Sequence, residues 1–247
     1  LPCLLFQDGG LVKTKQFANP TYIGDPINAV KIYNEMEADE LIFLDIKASK
    51  NRFIDYKLIE EIAYEAFMPV SYGGGIKNLD EIDRIINIGI EKVSINSAAI
   101  NNYKLIEQGA KKFGSQSIVI SIDVKKNKQG TYEIYTKNAS KKESIELIKF
   151  IEDVQNAGAG EILINSIDQD GIMNGYDLEL LKLISQNSEV PIVACGGAGK
   201  LEDLKTAIEI GGADAVAVGS MFVYFGKLNG ILINYPRRSK IKSIFGI

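Results

Sequence analysis

The sequence contains no histidine and no tryptophan, and it has only two cysteines among its 247 residues. Without histidine, proton transfer must fall to carboxylates, lysines, cysteines or tyrosines. Ser/His and Cys/His nucleophile pairs and the usual His-containing zinc sites are therefore excluded. Cys3 and Cys195 are distant in sequence and match no metal-ligand spacing. We expect two free, buried thiols, no metal and no cofactor.

The chain also lacks a basic excess and a long apolar run. Its net charge is −4 and its pI is about 5.2, which argues against a nucleic-acid partner, because phosphates would need many cations. No run approaches the roughly 18 apolar residues of a membrane span, and the opening LPCLLFQDGG is not a signal peptide. The sequence thus predicts a cytoplasmic protein without a membrane partner.

What the chain does have is a regular alternation of short apolar runs with amphipathic stretches, which is typical of parallel α/β folds. We predict strands at residues 3–6, 41–45, 69–72, 92–96, 117–123, 161–166, 191–194 and 215–218. We predict helices from the Asp25-Pro26 cap and at residues 58–67, 79–88, 103–113, 144–157, 178–184 and 201–210. Eight strands in about 250 residues indicate a single (β/α)8 barrel, a TIM barrel, over residues 1–247.

One segment interrupts this alternation. Residues 124–138, VKKNKQGTYEIYTKN, combine a KQG turn with an alternating strand pattern and predict a hairpin after the fifth barrel strand. The hairpin is either surface decoration or a lid over the site. The basic residues Arg237, Arg238, Lys240 and Lys242 near the end predict a solvated tail rather than an anion site.

The two halves of the chain resemble each other. Glu40 in ELIFLDI and Glu161 in EILINSI are 121 residues apart, and the glycine clusters at Gly74 and Gly196 are 122 apart. Asn96 and Gly219 are 123 apart. Nearly constant offsets close to half the length predict a barrel made of two fused half-barrels.

Glycine loops follow the third and seventh predicted strands, and small residues begin helices after the fourth and eighth. Backbone amides in such loops and at helix starts can bind a phosphate, although tight turns alone also explain many glycines. Because the pattern occurs in both halves, we expect a substrate with a phosphate at each end. The candidate residues are Gly74, Gly75, Asn96 and Ser97 in one half, and Gly196, Gly197, Gly219 and Ser220 in the other.

Four aspartates, Asp8, Asp45, Asp123 and Asp170, follow predicted strands and are candidates for proton transfer. Asp123 is the first choice, because it ends an apolar run and burial would raise its pKa; the alternative is an aspartate that caps the hairpin. Asp170 either binds substrate or makes a turn with Gly171. The half-barrel counterpart of Asp123 falls near Leu5, and the nearest carboxylate, Asp8, lies three residues further on.

These motifs resemble HisF, the cyclase subunit of imidazole glycerol phosphate synthase, from Pro2 to the VGSMF segment. The matching segments are DGGLVK from Asp8, GDP from Gly24, DELIFLDI from Asp39, GGGI from Gly73, EKVSIN from Glu91, FGSQ from Phe113, GAGEIL from Gly158, DQDG from Asp168, GYDLEL from Gly175 and GGAG from Gly196. The resemblance implies that ammonia from a glutaminase subunit, docked on the amino-terminal face, crosses the barrel to a ribulosyl phosphate substrate.

The resemblance also implies a role for individual residues. It assigns catalysis to Asp123 and to Lys13 on a mobile loop, and a glutaminase-facing carboxylate to Glu91. For the charged residues Glu40, Lys92 and Glu161, sequence position alone equally allows ordinary salt bridges. Phosphate contacts fall on Gly74, Gly75, Asn96, Ser97, Asp170, Gly171, Gly196, Gly197, Gly219 and Ser220, and a charged ring that gates ammonia falls on Glu40, Lys92 and Glu161.

Two departures from the family pattern shape the expected function. Leu5 stands where the family has a second catalytic aspartate, and Ile172 stands where a threonine follows DG. The LVKT segment at Leu11 and the segment from Gly226 resemble the WbuZ-type branch, which implies ammonia transfer to a surface-sugar amidotransferase that makes an acetamidino group. The alternatives are an authentic cyclase of histidine biosynthesis, with Asp8 or a water in place of the aspartate, and a non-catalytic scaffold.

Overall fold

The fold is a closed barrel of parallel strands. A computed structural model describes residues 1–48, 53–226 and 228–246. The described part contains these strands: β1 Cys3–Gln7, β2 Gly10–Lys15, β3 Ala18–Gly24, β4 Leu41–Asp45, β5 Val70–Gly73, β6 Lys92–Ile95, β7 Ile118–Lys126, β8 Tyr132–Thr136, β9 Lys141–Lys142, β10 Glu161–Ser166, β11 Ile192–Cys195, β12 Ala215–Val216, β13 Tyr224–Phe225 and β14 Gly230–Ile231.

Eight of these strands form the barrel, in the order β1, β4, β5, β6, β7, β10, β11 and β12, and all neighbours pair in parallel. A parallel bridge between Pro2 and Val218 closes the circle, and the Cys3 amide donates to the Val218 carbonyl at 2.9 Å. The predicted (β/α)8 fold is confirmed.

Helices follow the barrel strands in the predicted places. They are α1 Pro26–Glu35, α2 Tyr56–Glu65, α3 Leu79–Ile88, α4 Tyr103–Phe113, α5 Leu147–Asn156, α6 Leu178–Ser185, α7 Leu201–Glu209 and, near the end, α8 Arg238–Phe245. Asp25 caps α1 as expected, accepting from the Asn28 amide at 2.8 Å with Pro26 at the first helical position. The basic residues near the end are exposed to solvent, Arg237 as the N-cap of α8 and Arg238, Lys240 and Lys242 within it. None of the helices in the described ranges is both long and apolar enough to cross a bilayer.

Two hairpins extend the barrel at its carboxyl end. The predicted one is present, since β7 continues into an antiparallel pairing with β8. The other, formed by β2 and β3 after β1, was not predicted from the sequence. Its turn places Gln16 and Phe17 at φ of 52° and 61°, a conformation that non-glycine residues adopt only when other contacts support it. Sequence patterns for turns do not include such a pair.

Strand register confirms the half-barrel repeat. Leu5 pairs with Leu44 across β1 and β4, and Asp123 pairs with Asn165 across β7 and β10. The repeat offset of 121 residues places Leu44 on Asn165, so Leu5 and Asp123 occupy the same position in the two halves.

Buried residues form two layers. Side chains alternate along each strand, so that in β4 Phe43 packs outward in a large cluster with helix residues such as Ile82 and Phe150. Ile42 belongs to a smaller cluster inside the barrel. Its buried members are Cys3, Ile42, Val119, Leu163, Val193, Cys195 and Ala217. A packed apolar interior therefore separates the two ends of the barrel.

Candidate functional site

A cleft at the carboxyl ends of the strands, here called the central cleft, joins both halves of the barrel. It has a volume of about 710 Å³ including its open mouth. Catalytic residues of TIM barrels lie at this end of the strands. The lining residues are Leu5, Thr14, Phe17, Leu44, Asp45, Ile46, Gly73, Gly74, Ser94, Asn96, Ser121, Asp123, Lys137, Asn138, Asn165 and Asp170.

Asp123 lies on one wall of the central cleft. β7 carries it inward, and the Nδ2 atom of Asn96 donates to its Oδ2 at 3.1 Å. Burial, reinforced by the nearby negative charge of Asp170, raises the pKa of Asp123 from 3.8 to about 7, although the Asn96 hydrogen bond opposes the shift. A carboxyl with this pKa can both accept and donate a proton near neutral pH.

The opposite wall is apolar at Leu5, the half-barrel counterpart of Asp123. Leu5 and Leu44 are half-buried and face the cleft together with Phe17 and Ile46. Asp8 does not line the cleft: it is exposed and forms an ion pair with Lys47, which holds the pKa of its carboxyl below the usual range.

Asp45 does reach the central cleft. Its Oδ1 atom accepts from the amides of Lys47 and Ala48, each at 2.9 Å, so the carboxylate caps the turn after β4. Burial nevertheless raises the pKa of Asp45, because these hydrogen bonds compensate only in part.

The first glycine pocket consists of Gly74, Gly75, Asn96 and Ser97, which lie around one cavity together with Lys77 and Lys137. Gly74 has a φ of 131°, and a β-carbon there would come within 2.5 Å of the Asp45 carbonyl oxygen. Only glycine fits this turn, which leaves backbone amides accessible beside two lysines.

The second glycine pocket consists of Asp170, Gly171, Gly196, Gly197, Gly219 and Ser220, and these six residues also line one cavity. Lys13 enters it from β2 with a side chain only 4% exposed and donates to the Cys3 carbonyl at 2.6 Å. Lys13 therefore lies within a paired strand of the β2–β3 hairpin rather than on an irregular loop. Burial lowers its pKa.

Both cysteines border the second glycine pocket. They are free and buried, as predicted, but the closed barrel brings Cys3 and Cys195 into side-chain contact, which their distance in sequence did not indicate.

Asp170 lines the central cleft and the second glycine pocket, yet its carboxylate is already engaged. Oδ2 accepts from the Thr14 hydroxyl at 2.8 Å and from the Phe17 amide at 3.1 Å, which fastens the β2–β3 hairpin to the barrel. Burial raises the pKa of Asp170 in spite of these bonds. A negative charge here weakens anion binding unless the carboxyl is protonated, so Gly171 and its glycine neighbours provide the groups that suit a phosphate.

The charged ring of Glu40, Lys92 and Glu161 assembles at the other end of the barrel. The Lys92 ammonium donates to Glu40 and to Glu161, each at 2.9 Å, and the Ser71 hydroxyl donates to Glu40 at 2.6 Å. Burial alone would lower the pKa of Lys92, but the bonds and charges of the two glutamates outweigh it and raise the pKa. Glu91, next to the ring, is exposed on the outer face.

The predicted hairpin covers part of the central cleft. Its loop places Lys137 and Asn138 in the cleft lining, and the Asn138 amide donates to the Ile46 carbonyl on the opposite side. Of the two alternatives for this segment, the covering position is the one observed.

Several lining residues were missed from the sequence. Ser94, Ser121 and Asn165 also line the cleft, and the Thr14 hydroxyl donates to Asp170. Asn165 could have been found, since the repeat that aligns Glu40 with Glu161 also aligns Leu44 with Asn165.

Fold and site together define a half-barrel duplication with two glycine pockets around a carboxylate-bearing cleft. A protein-family model described as "Histidine biosynthesis protein" matches residues 1–229. A Leptospira interrogans protein named "Putative imidazole glycerol phosphate synthase subunit HisF" is 50% identical over 99% of this chain and 97% of its own length. The Pseudomonas aeruginosa protein "Putative imidazole glycerol phosphate synthase subunit hisF2" is 48% identical over 98% and 96%.

A third relative, "Imidazole glycerol phosphate synthase subunit HisF" of Alkaliphilus metalliredigens, is 41% identical over 91% of this chain and 89% of its own length. The chain therefore belongs to the HisF family.

Proposed function

We propose that this chain is a HisF-type subunit that takes ammonia from a glutaminase partner and conducts it through the barrel to the central cleft, where a phosphorylated ligand binds. The arrangement at the amino-terminal face supports this role. Glu40, Lys92 and Glu161 lie at the entrance to the barrel interior, and Glu91 is exposed beside them for a HisH-like partner.

The barrel interior suits a small neutral molecule. Between the ring and the cleft, aliphatic side chains and the two thiols form a buried cluster, and the neighbouring strands contribute the buried hydroxyls of Ser71, Ser94 and Ser121. Ammonia can cross such a layer, whereas ammonium would lose its hydration without compensation. We infer that the ring gates the entrance and that the interior admits ammonia rather than ammonium.

The phosphorylated ligand is bound through the glycine pockets. The amides around Gly74 and Gly75, and those around Gly196, Gly197 and Gly219, are directed to anions on either side of Asp123. Lys13 supplies a cation in the second glycine pocket. Asp123 is the group that accepts and donates protons in the cleft, because its pKa is about 7.

Leu5 stands where the family has a carboxylate, and from this we infer that cyclisation by this chain is weak. Leu5 faces Asp123 from the equivalent position of the other half, and an aliphatic side chain transfers no proton. Loss of one acid–base group lowers rates by about 10²-fold or more. We therefore infer that ammonia is passed on for glutamine-dependent amination of a surface-polysaccharide sugar, giving an acetamidino group through a sugar amidotransferase.

One observation favours the cyclase of histidine biosynthesis as a second candidate. Asp45 lines the central cleft, and the raised pKa of its carboxyl would suit the missing proton carrier. Asp8 is a poorer substitute, because it lies outside the cleft lining and pairs with Lys47.

The assay that separates these functions incubates the purified protein with the ribulosyl phosphate substrate and ammonium salt and follows substrate loss. We expect turnover at least about 10²-fold below that of a HisF with both aspartates. Comparable turnover would contradict the proposal and favour the cyclase.

A glutamine-driven assay with the glutaminase and amidotransferase partners tests the alternative of a non-catalytic scaffold. We expect Lys92→Ala to reduce product formation from glutamine, whereas a scaffold would leave it unchanged. Lys104→Ala, an exposed lysine at the start of α4, serves as the control.

A further inference from the structure

The glycines repeat in the two halves of the barrel, but the charged residues beside them do not. Among the described residues that line the second glycine pocket, the charged ones are Lys13 and Asp170, whose formal charges cancel. The described lining of the first glycine pocket has two lysines, Lys77 and Lys137, and no carboxylate. A phosphate monoester carries about two negative charges above about pH 7, so the first glycine pocket suits it better.

The carboxylates near the first glycine pocket are engaged with other groups. Asp45 lies behind the glycine turn, but its Oδ1 atom accepts from two amides of its own turn. Glu81 accepts from the Lys77 amide at 2.6 Å and so offsets part of the Lys77 charge. Glu143, close to Lys137, pairs with another lysine at 2.7 Å. Lys137 is therefore the less compensated of the two cations.

Lys137 reaches the first glycine pocket from the other half of the barrel. It stands two residues after the β8 partner of Asp123, and Lys13 stands one residue after the β2 partner of Leu5. Because Leu5 and Asp123 are equivalent, the two lysines occupy nearly equivalent places on the two hairpins. Each half of the barrel thus contributes a hairpin lysine to the glycine pocket of the other half.

Contacts on both sides hold the turn that presents Lys137. Lys137, Asn138 and Ala139 have φ of 53°, 55° and 58°, a left-handed run that non-glycine residues adopt only when other contacts support it. The Lys137 amide donates to the Ser97 hydroxyl at 3.4 Å, and the Asn138 side chain donates to the Ile46 carbonyl across the cleft. Lys137 is exposed and lines both the pocket and the central cleft, so its flexible side chain can place the ammonium over an anion held by the glycine amides.

We propose that the first glycine pocket binds the doubly charged phosphate that anchors the ligand, with Lys137 as its cation, and that a phosphate in the second glycine pocket adds little affinity. The ligand class is then a sugar monophosphate, held by its phosphate in the first half of the barrel. This inference deepens the proposed function and rests on it only in taking the glycine pockets as the anion sites of the ligand.

Calorimetric binding of D-ribulose 5-phosphate and D-ribulose 1,5-bisphosphate at about pH 8 tests the proposal, because the two sugars differ only in the second phosphate. We expect their affinities to agree within about threefold, whereas two equal phosphate sites would favour the bisphosphate by about tenfold or more. A gain larger than threefold, or no binding of the monophosphate, would overturn the proposal. The measurement uses neither ammonia nor a glutaminase, so its outcome is independent of ammonia conduction.

Variants of Lys137 assign the phosphate to the first glycine pocket. Lys137→Gln removes the charge and is expected to bind the monophosphate about fivefold more weakly, and this loss should shrink at about 1 M salt, which screens exposed charges. Lys137→Arg keeps the charge and should keep the affinity, and Lys104→Ala, on the outside of the barrel, is the control. Unchanged binding by Lys137→Gln, or an equal loss in Lys137→Arg, would overturn the proposal.

Asp170→Asn tests why the second glycine pocket adds little. Asparagine keeps an oxygen for the Thr14 hydroxyl and the Phe17 amide and removes the negative charge. We expect the ratio of the two affinities to shift about tenfold towards the bisphosphate, since a like charge no longer opposes the second phosphate. A ratio equal to that of the parent would overturn the inference.

Discussion

Replacing Asp123 by asparagine should stabilise the protein at alkaline pH. Burial raises the pKa of this carboxyl from 3.8 to about 7, so ionisation is more costly in the folded than in the unfolded chain. Because the folded pKa is the higher one, stability is fully present below pH 3.8 and is lost as the pH rises towards 7. Asparagine has nearly the same shape and no charge to bury.

The size of the effect follows from the shift. A difference of roughly three pKa units corresponds to about 4 kcal/mol in unfolding free energy at pH 8, and only about 0.5 kcal/mol remains at pH 4. Asp123 is half-buried, so solvent screens part of the charge, and we expect a gain of 2 to about 4 kcal/mol at pH 8.

Urea unfolding of the parent and Asp123→Asn at both pH values measures this gain, provided that the m-value stays constant. Asp8→Asn is the matched control, because the Lys47 ion pair lowers the pKa of Asp8 and removal of that charge should give no gain at pH 8. Equal stability of parent and Asp123→Asn at pH 8, or a gain that grows on acidification, would refute the reasoning.

Three other substitutions have defined outcomes. Lys92→Met leaves two ring glutamates facing each other, so urea unfolding should show a loss of about 2 kcal/mol or more that shrinks as the pH is lowered and the glutamates become protonated. Gly219→Ala places a β-carbon 2.7 Å from the Lys13 ammonium, and titration with inorganic phosphate should show about tenfold weaker binding in the second glycine pocket. Asn138→Ala removes the bond across the cleft, so amide exchange in the predicted hairpin should accelerate while the unfolding free energy changes by about 1 kcal/mol or less. Unchanged stability of Lys92→Met, unchanged phosphate affinity of Gly219→Ala or unchanged amide exchange in Asn138→Ala would contradict the respective prediction.

The barrel could be predicted from the sequence because its signals are local and repeated. Apolar strands, helix caps such as Asp25-Pro26 and glycine loops recur in both halves. The turn at Gln16 and Phe17 could not, because a partner 153 residues away stabilises it: Asp170 accepts from the Phe17 amide. The turn preferences of the local sequence do not reveal that contact.

Contacts between distant strands limited the prediction of the site in the same way. Register shows that Leu5 and Asp123 are equivalent, which an approximate repeat in the sequence had already indicated. The contact between Cys3 and Cys195 depends on closure of the barrel, and the raised pKa of Asp45 depends on its burial beneath the cleft. Neither follows from sequence spacing.

Turnover of Leu5→Asp with the ribulosyl phosphate substrate and ammonium tests the central claim most directly, namely that one leucine deprives the cleft of its second proton carrier. We predict that kcat/KM rises about 10²-fold over the parent and that Leu5→Asn, of matched shape but without a carboxyl, gains nothing. A parent chain already as fast as Leu5→Asp, or an equal gain in Leu5→Asn, would contradict the account.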